Sequence, residues 1–141
     1  MGIYGKALNR LGGPGAGQLT KMVNQICVAG VLEGLAEGMA FAEKAGLDLE
    51  SVIQVISGGA ASSWQMVNRY QTMIADQYDH GFAVDWMRKD LDTCMREAQN
   101  QGAELPLVDM VNDFYREVQD MGGGRWDTSS LFKRLRERGR R

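Results

Sequence analysis

The residue types best suited to chemistry sit together in residues 12–25, GGPGAGQLTKMVNQ. A glycine-rich turn opens there into a helical pattern that carries Lys21 near its start. With a helix beginning at Ala16 or Gly17, Gln18, Lys21 and Gln25 share one face, and Asn24 lies beside Lys21 at i+3. A cationic proton carrier near a helix N-terminus, with amides next to it, suits a small anionic substrate. Gly15, Gly17 and Gln18 shape the entry to that corner, or form a plain turn.

The elements that must hold this corner read as helices. Residues 18–44 form a long, nearly unbroken pattern with Leu19, Met22, Val23, Ile26, Leu32, Leu35, Met39 and Phe41 as apolar contacts. At 1.5 Å per residue this predicts a central helix about 40 Å long, buried on several sides. Gly30, Gly34 and Gly38 recur every fourth residue, a stripe that a closely packed neighbouring helix would make tolerable. Gly46 ends the helix, and Asp48 caps a short one through about Ile56. A small-residue loop, residues 57–63, precedes a helix over 64–76. Further helices are predicted over 84–101, closed by Gly102, and over 107–121, with Pro106 in the first turn. Asp127 caps a last helix from Thr128 to about Arg138. No repeat and no alternating strand pattern appears, so the fold class is all-α, a bundle around one long helix.

Composition narrows the classes. The 141 residues, 44% apolar and 24% charged with two prolines, describe one globular, helix-leaning domain. No uncharged apolar run approaches the roughly 20 residues of a membrane span, and the first ten residues lack a signal-peptide core; a cytoplasmic protein is expected. Cys27 and Cys94 are read as buried, reduced thiols, with a disulfide as the alternative. A single histidine, His80, excludes a histidine-cluster metal site, and no metal is expected. Net charge is −2, but residues 133–141 hold six basic side chains against Glu137. That end is read as a frayed, solvated helix rather than a nucleic-acid contact.

Taken in order, several motifs resemble the C-terminal domain of the β-hydroxyacid dehydrogenases. That family includes 3-hydroxyisobutyrate dehydrogenase and tartronate semialdehyde reductase, and is related to 6-phosphogluconate dehydrogenase. The glycine turn and lysine come first, then the Glu33-Gly34 and Glu37-Gly38 pairs, AGLD at 45–48 and SGGAASSW at 57–64. Gly81-Phe82, RKDLD at 88–92, Pro106-Leu107 and a final Asp127-x-Ser129 complete the series. The resemblance covers residues 12–135. It implies a 6-phosphogluconate-dehydrogenase-like helical domain for substrate binding and dimerisation, residues 13–141. Residues 1–12 would be a remnant of a linker, of an N-terminal Rossmann domain, or an added start, with residues 4–11 a short strand or an extended connection. No G-x-G-x-x-G follows a convincing strand here, so NAD or NADP would be held mainly by a Rossmann domain outside this sequence.

The resemblance also implies roles. Lys21 would be the catalytic acid/base for a small β-hydroxy acid and its semialdehyde or keto acid. Asn24 and Gln25 would position the substrate, either one making the contact, since the family commonly has asparagine where Gln25 stands. Gly17 and Gln18 would border the substrate, and Trp64 and Phe82 would wall its pocket, unless they are ordinary core aromatics. Lys89 would reach the cofactor side, with Asp90 orienting it or capping locally. The partners implied are the substrate, the Rossmann domain and a second copy of the chain, and the chain alone would be inactive. Two alternatives remain: an imine-reductase-like domain, against which Lys21 argues, and a non-catalytic helical dimerisation module.

Overall fold

A computed structural model describes residues 12–141. The expected linker remnant, Gly12 apart, and the short strand or connection over residues 4–11 lie outside the described residues. Six α-helices follow one another: α1 Ala16–Lys44, α2 Leu49–Ile56, α3 Trp64–Ile74, α4 Val84–Gln101, α5 Pro106–Asp120 and α6 Leu131–Arg138. A 3-10 turn, Thr128–Ser130, leads into α6. Among the described residues the β pairing is an isolated bridge between Ala83 and Asp127. The architecture is therefore all-α, as expected.

Local signals set the helix ends. Asp48 accepts from the Ser51 N–H and Ser63 from the Met66 N–H, each cap contributing about 1 kcal/mol. Gly102 closes α4 in the left-handed region at φ 71°. Pro106 occupies the first turn of α5, where its missing N–H costs nothing.

α1 runs through the middle, against α4, α5 and α6. Ala29, Leu32 and Ala36 are fully buried, and Leu35, Met39 and Ala42 nearly so. By length and composition α1 could cross a membrane, with mean hydropathy 1.3 in its most apolar window. Glu33 and Glu37 within it and its packing make it the core helix of a bundle. Burial holds for only part of its surface: Leu19, Val23, Val31 and Phe41 are exposed although Gln25, Ala29 and Ala42 nearby are buried, because they lie on faces that the other helices leave uncovered. The glycine stripe also differs from expectation. A Cβ at Gly30 would touch Leu107, but at Gly34 and Gly38 it would meet open space. There α2 and the 57–63 loop stand off and leave an apolar groove of about 470 Å³, floored by Gly34, Gly38, Ile53, Ile56 and Met66.

The basic end is not a frayed tail. Leu131, Phe132 and Arg134 are buried. Arg134 donates Nε–H to Glu117 at 2.8 Å and faces Glu33 at 3.9 Å. Arg136 grips Glu43 with two bonds and donates to the carbonyls of Met73 and Ile74, at the C-terminal end of α3, where a cation is favoured. Arg134 and Arg136 thus tie α6 to α1, α3 and α5, whereas Arg138, Arg140 and Arg141 at the end are exposed, as expected. The cysteines are both free; Cys94 is buried as expected, but Cys27 is exposed.

Candidate functional site

The site is built where α1 meets α4. Gly15, at φ 89°, turns the chain into α1, a conformation open to glycine without a steric penalty. One and a half turns later Lys21 extends into solvent, its side chain 64% exposed, with Nζ 3.9 Å from Asp90 Oδ1. Gln25, buried beside it, donates Nε2–H to Asp90 Oδ2 at 2.8 Å. Asn24 is exposed and donates Nδ2–H to Gln25 Oε1 at 3.0 Å. Lys21, Gln25 and Asp90, together with Gln18, Met22, Thr93 and Cys94, line a cleft of about 50 Å³, and Asn24 lies outside that lining. The cleft has room for a water or two. Ligand pockets run to roughly 300–1,000 Å³. An exposed ion pair at this distance contributes about 0–1 kcal/mol, so Lys21 is placed but not locked. Burial, and secondly the Asp90 carboxylate, push the Cys94 thiol up, so it stays protonated, directed at the Met22 carbonyl at 3.7 Å.

Successive residues of RKDLD serve different neighbours, because i and i+1 on a helix point about 100° apart. Arg88 bonds Asn112 Oδ1 at 3.0 Å and Gln119 Oε1 at 2.8 Å, joining α4 to α5. Asp92 accepts from Asn112 at 2.7 Å. Lys89 is exposed, its Nζ 5.8 Å from the Trp86 ring centre. Asp90 turns to Lys21 and Gln25. The expectation that it orients Lys89 or caps locally gives way to a contact across the helix pair.

The remaining expected residues are dispersed. Phe82 is 40% exposed and shares an open recess with His80, Gly81, Trp86 and Arg125. Its backbone N–H is held by buried Asp127 at 2.9 Å. Trp64, 61% exposed, begins α3 with the Arg69 guanidinium 5.0 Å from its ring centre, and lines neither the cleft nor that recess. The core-aromatic alternative is excluded for both rings. Gly17 and Gln18 are exposed at the start of α1. Thr93 and Cys94 had not been anticipated. Their positions at i+3 and i+4 from Asp90 carry the signal, since helical spacing puts all three on one face.

A family model described as NAD-binding of NADP-dependent 3-hydroxyisobutyrate dehydrogenase matches residues 15–135. An uncharacterized oxidoreductase of Shewanella frigidimarina is 62% identical over 94% of this chain and 45% of its own length. The 2-hydroxy-3-oxopropionate reductase of Escherichia coli K12 is 33% identical over 94% of this chain and 46% of its own. The crystal structure of a 3-hydroxyisobutyrate dehydrogenase from Salmonella typhimurium superposes with a TM-score of 0.77 at 33% identity, over 85% of this chain and 42% of that one. Fold and matches together define a helical domain of the kind that these oxidoreductases contain. The chain belongs to the 3-hydroxyisobutyrate dehydrogenase family, and it spans about half the length of the curated relatives it matches.

Proposed function

We propose that this chain is the substrate-side helical domain of an NAD(P)-dependent dehydrogenase acting on a small β-hydroxy acid, with Lys21 as general acid/base. The observation that carries the reading is the convergence of Lys21, Gln25 and Asp90 from two helices on one cleft, with Asn24 bonded to Gln25 at its edge. When bound, the nicotinamide supplies the hydride acceptor or donor. The chain's part is the proton, which moves between the substrate hydroxyl and Lys21 Nζ. The amides of Asn24 and Gln25 orient the substrate, and the exposed start of α1 at Gly17 and Gln18 favours its carboxylate. Phe82 and Trp64 are exposed and lie outside the cleft, so they would wall the substrate only from beyond it, once a second domain closes the site.

The residues present fit only one end of a dinucleotide. Lys89, its Nζ 5.8 Å from the Trp86 ring centre, and Arg125, which lines the Phe82 recess, are cations on that side. The cleft is too small to enclose a hydroxy acid, which supports a second wall from a Rossmann domain elsewhere in the full protein. The apolar groove along Gly34 and Gly38 supports a homodimer.

The test is a backbone-amide NMR titration of the 141-residue chain with 3-hydroxypropanoate. Saturable shifts centred on Lys21 and Asn24, lost in Lys21→Ala, are expected. Absence of saturable shifts, or a response indifferent to Lys21→Ala, contradicts the reading and favours a non-catalytic helical module.

A further inference from the structure

We propose that Arg134 is a two-position guanidinium: it holds Glu117 while Glu33 is protonated, and moves to Glu33 when that carboxyl ionises, leaving Glu117 to Arg138. The geometry is one of unequal sharing. Glu33 lies in the middle of α1, 4% exposed, and among the described residues neither of its carboxyl oxygens has a hydrogen-bond partner. Buried polar groups are nearly always bonded, so an orphaned carboxyl beside a cation marks an unfinished contact. The cation is Arg134, equally buried, with Nη1 3.9 Å from Glu33 Oε1. Its Nε–H and Nη2–H go instead to Glu117, at 2.8 and 3.4 Å. Glu117 in turn serves two arginines, because its Oε2 also accepts from Arg138 Nη1 at 2.8 Å.

Charge pairing sets the direction of the exchange. With Glu33 neutral, two guanidiniums share the Glu117 carboxylate. With Glu33 ionised, each guanidinium has a carboxylate of its own. A charge-assisted bond is about 2.7–2.9 Å long, so a shift of about 1 Å brings Nη1 onto Glu33. The Phe114 ring centre, 3.8 Å from Arg134 Cζ, keeps its cation–π contact through so small a movement. Glu117 keeps an anchor, since Arg138 stays with it. Around Glu33, Arg134 of α6 attracts the anion, while Glu37, exposed one turn on along α1, and Glu117 of α5 repel it. Tyr115 of α5 adds no charge: burial keeps its hydroxyl protonated, and the Thr128 carbonyl accepts it at 3.1 Å. Burial outweighs Arg134 and moves the ionisation up to about 8. The exchange therefore occurs as pH rises through that value. Arg134, Glu117 and Arg138 also line a surface cleft of about 590 Å³ beside α5 and α6. Drawing Arg134 inward takes one guanidinium from that lining, so a proton in the middle of the bundle sets the charge of an outer surface.

Arginine side-chain Nε–H NMR spectra of the 141-residue chain, taken from mildly acidic to alkaline solution, test this together with the carboxyl carbon of Glu33. Arg136, committed to Glu43, is the internal reference. The Arg134 Nε–H and the Glu33 carbon should move together with one midpoint near 8, while Arg136 holds its place. In Glu33→Gln the Arg134 signal should stop moving over the same range, with the backbone amide dispersion kept. An Arg134 shift that persists in Glu33→Gln overturns the exchange. So does a Glu33 carbon that titrates while Arg134 stands still, or one that does not titrate at all. A second variant, Glu117→Gln, removes the competing carboxylate and leaves Arg134 to Glu33. The Glu33 midpoint should then fall by about one unit or more, a tenfold or larger gain in its ionisation constant. An ionisation constant within about threefold of the parent, the small effect of losing one distant charge, overturns the competition between the two carboxylates.

Discussion

Lys21 and Asp90 face each other at 3.9 Å where α1 meets α4, and the two ends of that contact are unequal. The carboxylate is half-buried and already occupied by Gln25 at 2.8 Å. The ammonium is largely in solvent. An incoming anion can therefore recruit Lys21 without dismantling the helix interface, whereas Asp90 is spent on holding it. Such an arrangement suits a site whose other wall comes from elsewhere.

The buried carboxyl of Glu33 makes stability depend on pH. Burial, with the Glu37 carboxyl one turn on adding to it, raises Glu33 from 4.5 to about 8. Arg134, 3.9 Å away, pulls the other way, but its Nε–H is committed to Glu117, and both Glu33 oxygens lack a hydrogen-bond partner. Because the folded value lies above the ordinary one, ionising Glu33 costs the folded state more than the unfolded. Its contribution is intact below about 4.5 and is lost as pH rises toward and through about 8. Glu33→Gln should remove this loss. Urea unfolding should show the wild type losing about 1–3 kcal/mol more than the variant between mildly acidic and mildly alkaline buffer. Parallel profiles would contradict it.

Gly81 holds the recess side together. It sits at φ 70°, and a Cβ there would collide with the Asp127 carboxylate that anchors the Phe82 N–H. Gly81→Ala is expected to cost about 2–4 kcal/mol, from left-handed strain plus the clash. Gly46→Ala is the control: φ is 78°, but nothing lies within 4 Å of an added Cβ, so only the strain of about 1–2 kcal/mol applies. Equal losses in chemical denaturation would rule out the clash.

Gly34→Ala separates folding from association. The added methyl meets nothing within the chain, so the helix gains the usual alanine preference of about 1 kcal/mol. Unfolding at high dilution should show that gain. If the groove receives a second copy, the same methyl crowds the contact, and sedimentation should show weaker association. A destabilised monomer would mean that the groove is closed in solution.

The fold was legible because its signals are local. Asp48, Ser63, Gly102 and Pro106 mark helix ends by their own chemistry. Apolar periodicity marks helices too, yet it does not say which faces find partners. Leu19, Val23 and Phe41 therefore read as core and lie exposed. Arg134 and Arg136 read as solvated because their carboxylates, Glu33, Glu117 and Glu43, lie far away in sequence. At the site, helical spacing brought Lys21, Asn24 and Gln25 together. The turn of Asp90 toward them depends on how α4 crosses α1, which no residue spacing encodes. Trp64 and Phe82 were grouped by motif order alone; in the structure neither lines the Lys21 cleft, and Arg69 stands between them, 5.0 Å from the Trp64 ring centre and 3.4 Å from the Asp127 carboxylate that holds the Phe82 N–H.

The central claim, that Lys21 moves the proton of a hydroxy acid, is tested most directly by hydride transfer. The chain would be joined to the part of the Shewanella relative that the match leaves uncovered. Oxidation of β-hydroxy acids would be followed by nicotinamide absorbance with NAD and with NADP. The account predicts turnover by the joined protein, none by the 141-residue chain alone, and a fall in kcat of about 10²–10⁴-fold in Lys21→Ala. A Lys21→Ala variant that turns over within about threefold of the parent, a barrier change of under ~1 kcal/mol, would contradict it.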